Sequence, residues 1–377
     1  LEPGDIVDIE SRGRTRRVLI EKIETGLARR IEAHTVDPDL GLAAPASGRT
    51  TTTAAPAVWG APLVRVLDIP HADADGDAFK PYLAAFAEPW PGSLAIWRDR
   101  GDTVASLGTV ERRATMGVTA SAFAPGPVAR WDTVTTLDVT LYGSGTLAGL
   151  SDALVLGGGN RAAVRFPNGR WELFQFARAE LVATATWRLS RLLRAQAGSE
   201  DAWDAEAASA PAGADFVLLD SAVTPVGIGR DDLGLPVTLR VGPAQEDYTR
   251  PSFTTLSLTP SGRGLLPPSP TAIRGRRDPA SGAALFSWIR RSRSAGADSW
   301  AAVDAPLGEE AEAYRLDILD AAGAVVRSMT TSAPSATYPA ADEIADFGAV
   351  RDVQSIRVAQ LSVTAGAGIA RTAMVRL

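Results

Sequence analysis

WELFQFARAELVATATWRLSRLLRAQAGSE, residues Trp171 to Glu200, is the stretch whose reading decides the fold. Its first part, Trp171 to Phe176, is short, aromatic and mostly apolar, as a largely buried strand is. A second run follows Ala177, from Glu180 to Leu189. There Leu181, Ala183, Ala185, Trp187 and Leu189 fall on one face at period two, and Val182, Thr184, Thr186 and Arg188 on the other. The spacing predicts a strand, a turn after Ala177 and a second strand, in the middle of a β domain. The pair ends in a basic cluster, Arg188, Arg191 and Arg194, and a Gln-Ala-Gly-Ser turn.

The pattern extends outward. Residues 61–265 read as a central β domain, with strands expected at 64–70, 93–97, 103–110, 114–120, 133–141, 152–156, 162–166, 216–219, 225–228 and 237–241. Tyr82, Leu83 and Phe86 share a helical face, so Lys80 to Ala87 is expected to form a short helical turn. Residues 1–60 read as the end of another β domain: Pro3-Gly4-Asp5 is a turn signal ahead of strands at Ile6 to Ile9, Val18 to Ile23 and Arg29 to His34. A Thr/Ala/Pro linker follows at 43–58. Leu266-Pro-Pro-Ser-Pro270 opens a third unit, 266–377, with strands near 272–275, 284–290, 313–319, 324–329, 336–338, 355–364 and 370–377. That count and size fit a seven-stranded sandwich of the fibronectin type III kind. The expected class is therefore mainly β and multidomain, with barrel or sandwich domains followed by that sandwich.

Composition narrows the chemistry. The 377 residues include no Cys, which excludes disulfides, thiolate catalysis and Cys-ligated metals. There are only two His, His34 and His71, and neither has the Ser and Asp context of a triad. The net charge of −6 and the lack of a long basic run argue against nucleic-acid recognition. No apolar run approaches a membrane span, and no signal peptide is evident. The opening at Leu1, straight into a strand, reads as a piece of a longer protein.

Several constellations invite a functional reading. Asp73, Asp75 and Asp77 alternate and could offer oxygen ligands to calcium, the one cofactor the residues suggest. The loop departs from an EF-hand, with Ala78 where glycine and Ala84 where the bidentate Glu would stand, so a solvated acidic loop is the competing reading. Gly157-Gly158-Gly159 lacks the spacing of a nucleotide loop and reads as a hairpin or bulge. Glu309, Glu310 and Glu312 beside Asp304 could mimic a glycosidase pair, but adjacent charges argue for a solvated loop. Arg274, Arg276, Arg277, Arg290, Arg291 and Arg293 form a basic cluster. It could meet phosphate or an acidic partner subunit, or pair with the Glu309–Glu312 run. The nine Trp are scattered and read as core anchors, except Trp90, held in Pro89-Trp90-Pro91-Gly92 and placed to pack between domains or subunits.

The run WRLSRLLRAQAGSEDA, 187–202, resembles the LS-LLRGQRGTE signature of large phage tail tip and baseplate proteins, in particular the "megatron" tail proteins of gene transfer agents, phage-like particles made by alphaproteobacteria. Further segments are similar to the same family in the same order: LEPGDIVDI at 1–9, AEPWPGSLAIW at 87–97, VLGGGNRAAV at 155–164, FSWIRRSR at 286–293, DSWAAVDAPLGEEAEAYRLDIL at 298–319 and DFGAV at 346–350. The chain departs from the signature at Ala195 and Ser199, where the family usually has Gly and Thr. The resemblance implies a non-enzymatic virion component that trimerises below the tail tube, binds other tail and baseplate subunits, and presents distal domains to a host glycan or outer-membrane receptor. Such a protein is assembled in the bacterial cytoplasm and acts at the host cell surface. The family's glycosidase-like barrel is expected to be absent from this stretch, which has no long β/α alternation. Two other classes remain open on the residues alone: a carbohydrate-binding adhesin module, and accessory β domains of a cell-wall glycoside hydrolase.

Overall fold

The computed structural model describes residues 1–37, 58–70, 77–203, 209–293 and 305–377. The chain divides into two compact units, Leu1–Val58 and Trp59–Leu377. The first is an antiparallel meander of β1 (Ile6–Ser11), β2 (Arg14–Thr25) and β3 (Arg29–Thr35), in that order. Arg12 and Gly13 join β1 to β2 with φ of 52° and 73°, the left-handed pair that a tight two-residue hairpin requires. Val18 and Ile20 are the apolar side chains that this sheet buries.

The second unit begins with β4 (Leu63–Leu67), β5 (Tyr82–Phe86), β6 (Leu94–Asp99) and β7 (Val104–Val110). Next come β8 (Met116–Thr119), β9 (Trp131–Asp132), β10 (Leu137–Leu141), helix α1 (Asp152–Leu156), β11 (Arg161–Arg165), β12 (Trp171–Ala183), β13 (Thr186–Leu193) and β14 (Asp215–Leu218). Strands β8, β14, β11, β12, β13 and β10 pair in that order, and β10 pairs back with β8, so six antiparallel strands close a barrel. Closure leaves no free edge among them. Phe123, Leu137, Val139, Val164, Phe174, Phe176, Leu189 and Phe216 fill it, with Phe123 and Phe174 ring centroids 5.2 Å apart.

Two smaller sheets follow, the first against the barrel wall and the second on the far side of the first. One has the order β15 (Thr224–Pro225), β5, β4; the other has the order β17 (Thr254–Leu258), β16 (Val237–Pro243), β6, β7. Strand β5 is the divider. Tyr82 and Ala84 pack with Ala163, Trp171 and Leu173 from the barrel's outer face. Leu83 and Ala85 point the other way and pack with Leu94 and Ile96 of β6 and with Val237, Leu239 and Val241 of β16. A strand buried on both faces loses period-two alternation, so the expected helical turn over Lys80 to Ala87 is corrected to strand β5. The expected strand over Asp152 to Leu156 is corrected as well. It is the single-turn helix α1, started by the Ser151 side chain and ended at Gly157.

Residues 266–377 contribute β18 (Thr271–Arg277), β19 (Ala284–Ile289), β20 (Tyr314–Leu319), β21 (Val325–Thr331), β22 (Ser335–Tyr338), helix α2 (Ala340–Phe347), β23 (Val353–Ser362), β24 (Gly366–Ala367) and β25 (Arg371–Arg376). One sheet has the order β18, β19, β22; the facing sheet has the order β21, β20, β23, with β24 and β25 both paired to β23. Phe286, Trp288, Tyr314, Leu316, Ile356 and Val358 fill the space between them, with Trp288 and Tyr314 edge to face at 5.3 Å. The fold is thus mainly β and multidomain. Among the described residues, no helix is long and apolar enough to cross a membrane.

Candidate functional site

The signature segment lies where the barrel meets the sandwich. The turn expected after Ala177 is absent: β12 runs on to Ala183, and the reversal falls at Thr184 and Ala185, with Ala185 at φ 53°. In β13, Arg191 has φ 54° and breaks the alternation. Trp187 and Leu189 face the barrel core before it, and Leu192 does so after it. Arg194 follows two residues on and turns to the same side.

Arg194 is fully buried, as is Glu172. Its Nε donates to Glu172 Oε1 at 2.7 Å, and its Nη2 donates to Glu172 Oε2 at 2.8 Å and to the Ala124 carbonyl at 2.7 Å. Nη1 lies 3.5 Å from Asp132 Oδ2. The guanidinium is 3.7 Å from the centre of the Phe123 ring. Glu172 also accepts from the Ala195 amide at 3.2 Å and from the Trp203 indole at 2.9 Å. Both of its oxygens are therefore held by donors, and neither is free for acid–base work. Burial works to raise the Asp132 carboxyl, but hydrogen bonds from Thr135 and Val134 and the charge of Arg194 outweigh it and hold it below the ordinary value. A Cβ on Gly126 would stand 2.6 Å from Arg194 Nη1, so only glycine lets the covering loop pass this close.

The other two arginines of the cluster hold the barrel's outer side. Arg188 forms a two-pronged pair with Asp138 at 2.8 Å, and Arg191 Nε donates to Asp152 Oδ1 at 2.8 Å. The glycine-rich stretch is structural too: Gln175 Nε2 donates to the carbonyls of Val155 and Gly159, and Asn160 Nδ2 to those of Ala148 and Phe176.

Beyond Arg194 the chain tightens into a turn with Ala195, Ala197 and Gly198 at φ 50°, 55° and 83°. Ala195 holds the left-handed conformation that glycine adopts without penalty, which accounts physically for glycine at this place in the signature that the segment resembles. Ser199 fixes the turn: its hydroxyl accepts from the Leu173 amide at 2.8 Å and donates to the Gln196 carbonyl at 2.9 Å. The turn projects Glu200 toward the sandwich and Asp201 toward the segment that leads into it. Glu200 Oε1 accepts from Arg291 at 2.7 Å, lies 3.5 Å from Arg371 and accepts from the Ser269 hydroxyl. Asp201 accepts from Arg263 at 2.6 Å and Arg170 at 3.0 Å. The signature is a buried ion pair followed by an acidic latch.

The remaining sequence candidates fall as follows. Asp73 and Asp75 lie outside the described residues, and Asp77 pairs with Lys80 at 2.5 Å. Among the described residues, no group of three His, Asp or Glu could hold a metal ion. His34 bonds Glu21 at 2.9 Å in the first unit, and His71 lies outside the described residues. Trp90 packs against the core between the two smaller sheets, with its indole donating to the Gly92 carbonyl at 2.9 Å. Arg277 grips the buried Glu343 of α2, Arg290 pairs with Glu312 at 3.1 Å, and Arg293 pairs with Glu309 at 2.8 Å. Two arginines of the cluster thus pair with the Glu309–Glu312 run, as the intramolecular reading of the sequence expects, while Glu310 stays exposed; Asp304 lies outside the described residues. Arg274 and Arg276 are exposed and make no ion pair among the described residues.

Glu310 shows how firmly that run is held. Hydrogen bonds from the Thr364 hydroxyl first, then from the Glu310 and Val363 amides and the Ser362 hydroxyl, draw its carboxyl down to about 2. A lowered folded value means that the contact is fully present above the unfolded value and is lost as pH falls through the folded one. Carbon-detected NMR of the Glu310 side chain should show a midpoint near 2, and Thr364→Ala should raise it. A wild-type midpoint at the ordinary carboxylate value would show that the loop is not bound this way.

No curated protein sequence matches the chain. Among solved structures it is similar to the Spr0440 glycoside hydrolase domain, Endo-D, from Streptococcus pneumoniae R6, at 14% identity over 68% of this chain and 33% of that one, with a TM-score of 0.19. It is also similar to a tetra-tandem repeat in the extending region of a large adhesion protein, at 12% identity over 84% of this chain and 73% of that one, with a TM-score of 0.14. The chain spans about a third of the length of the first. Scores this low carry no argument about fold or function. Residues 114–217 match the family described as Rcc01698-like, C-terminal, and that range takes in the six strands of the closed barrel, β14 to within one residue of its end, together with the Glu172–Arg194 pair inside it.

Proposed function

We propose that this chain is a structural part of the tail tip or baseplate of a phage-like particle of the gene transfer agent type. In this reading it builds the tail hub as a trimer with other baseplate subunits and carries its distal domains to the host surface. The observation that carries the reading is the ordered set of segments along the chain that resemble those of tail proteins, from LEPGDIVDI at 1–9 to DFGAV at 346–350. The geometry supports a mechanical role. The most diagnostic segment, 187–202, spends its charged side chains on internal ion pairs and on the junction with the sandwich. Assembly and recognition, rather than catalysis, then constitute the function.

The test is co-purification. An epitope-tagged chain, expressed in its own bacterium, is expected in density-purified particles, with gold-labelled antibody marking the distal end of the tail. Its absence from the particle fraction would overturn the reading. Light scattering over a range of concentration adds the assembly state. A trimer places ring contacts within this chain, whereas a monomer makes the chain an arm of the hub.

A further inference from the structure

The run from Arg274 to Arg293 holds six arginines, and the structure divides them sharply. Arg277, Arg290, Arg291 and Arg293 each pair with a carboxylate of the same chain. Arg274 and Arg276 pair with none among the described residues. They stand on one face of β18, exposed at alternate positions, about 6.6 Å apart by strand geometry. Both line a single groove of about 380 Å³ on the outer face of the β18, β19, β22 sheet.

The strand register sets what else faces the groove. Arg274 is opposite Ser287, which is opposite Ser335; Arg276 is opposite Leu285, which is opposite Thr337. The groove thus presents two guanidinium forks, three hydroxyls and one apolar side chain, and among the described residues no carboxylate lines it. Asp278, next along the same face, feels the charge of Arg276 but is occupied first by the Ser281 hydroxyl and the Ala280 amide. Unpaired forks favour planar or tetrahedral oxyanions, and two forks one strand repeat apart suit two anionic groups on one ligand.

We infer that this groove binds an acidic glycan, a sugar chain carrying carboxylate or phosphate groups, with Arg274 and Arg276 holding the anions and Ser287, Ser335 and Thr337 meeting the sugar hydroxyls. An acidic peptide fits less well. Extended peptides gain affinity from main-chain pairing at a sheet edge. Here the groove lies on a sheet face, where the backbone of β19 is already paired on both sides. The proposal rests on the tail-tip reading only for the source of the glycan, a cell surface.

The test uses the full chain over immobilised polygalacturonate, phosphomannan, neutral dextran and polyglutamate, by biolayer interferometry. Binding to one or both acidic glycans above dextran is expected; the polymer preferred tells carboxylate from phosphate. Arg274→Ala/Arg276→Ala should weaken that binding about tenfold or more. The control Arg14→Ala/Arg16→Ala removes the same charge from an exposed strand of the first unit and should leave affinity within about twofold. Circular dichroism checks that both variants fold. Three results would overturn the proposal: no binding to either acidic glycan, equal loss in the two variants, or tighter binding to polyglutamate than to both glycans. Co-purification with particles does not depend on this groove, so the tail-tip reading and the glycan site fail separately.

Discussion

Glu172→Ala is expected to lower the free energy of unfolding by about 3–5 kcal/mol, the range for breaking a buried ion pair by removing one partner. The loss comes from what remains. Arg194 is fully buried and would lose its two-pronged partner, keeping the Ala124 carbonyl, the Phe123 ring and the single, longer contact with Asp132 at 3.5 Å. The Ala195 amide and the Trp203 indole would lose their acceptor as well. Arg194→Met should fall in the same range, since it strands the Glu172 carboxylate instead. Glu172→Leu combined with Arg194→Met should be milder than either single change, because neither half of the pair is then left charged without the other. Urea denaturation followed by tryptophan fluorescence reads all three. Single variants that lose no more than about 1 kcal/mol, the value of an exposed pair, would show that the two side chains are not sealed inside the barrel.

That pair also marks how far the sequence carries. Glu172 and Arg194 are charges of opposite sign set against apolar neighbours, Trp171-Glu-Leu-Phe and Leu192-Leu-Arg, and that is a usable hint of pairing. The hint is ambiguous, because Arg194 is the last of three closely spaced arginines and reads equally well as a strand end reaching solvent. Most strands of the barrel and the sandwich are legible, because short apolar runs between Gly and Pro are hard to fit to anything else. The hairpin turn is not. Thr184 and Ala185 carry none of the Gly, Asn or Asp that usually marks a left-handed turn, and tertiary pairing across the barrel places it there. Helix α2 carries faint signals: Asp342 and Glu343 in the first turn and Gly348 just past the end. Its eight residues are too few for periodicity to stand out. The groove is only half visible, because which arginines of the 274–293 run stay free depends on strand facing and on distant carboxylates.

Glu200→Ala is expected to loosen the joint between barrel and sandwich by about 2 kcal/mol, less than the barrel pair because its arginine partners are partly solvated. The Arg291 and Arg371 side chains are 23% and 34% exposed, against 9% for Glu200. The carboxylate nevertheless joins three parts of the molecule. It sits at the end of the signature turn, it draws in two arginines of the sandwich, and it accepts from the fully buried Ser269 of the connecting segment. That segment is further held by Arg263 on Asp201 and by the Ile369 amide on the Pro267 carbonyl at 2.9 Å. The joint should therefore open locally rather than come apart. Hydrogen exchange is expected to speed up about thirtyfold at Ser269, Thr271 and residues 368–371, while the amides of β12 and β13 stay protected. Glu200→Gln keeps an acceptor for Ser269 but loses the charge, and should give a smaller change at the same amides. Acceleration spread evenly over the barrel would mean that Glu200 supports the fold at large. Acceleration confined to the joint would mean that the signature turn serves to fix the angle at which the sandwich is carried, the mechanical property that the proposed tail-tip role requires.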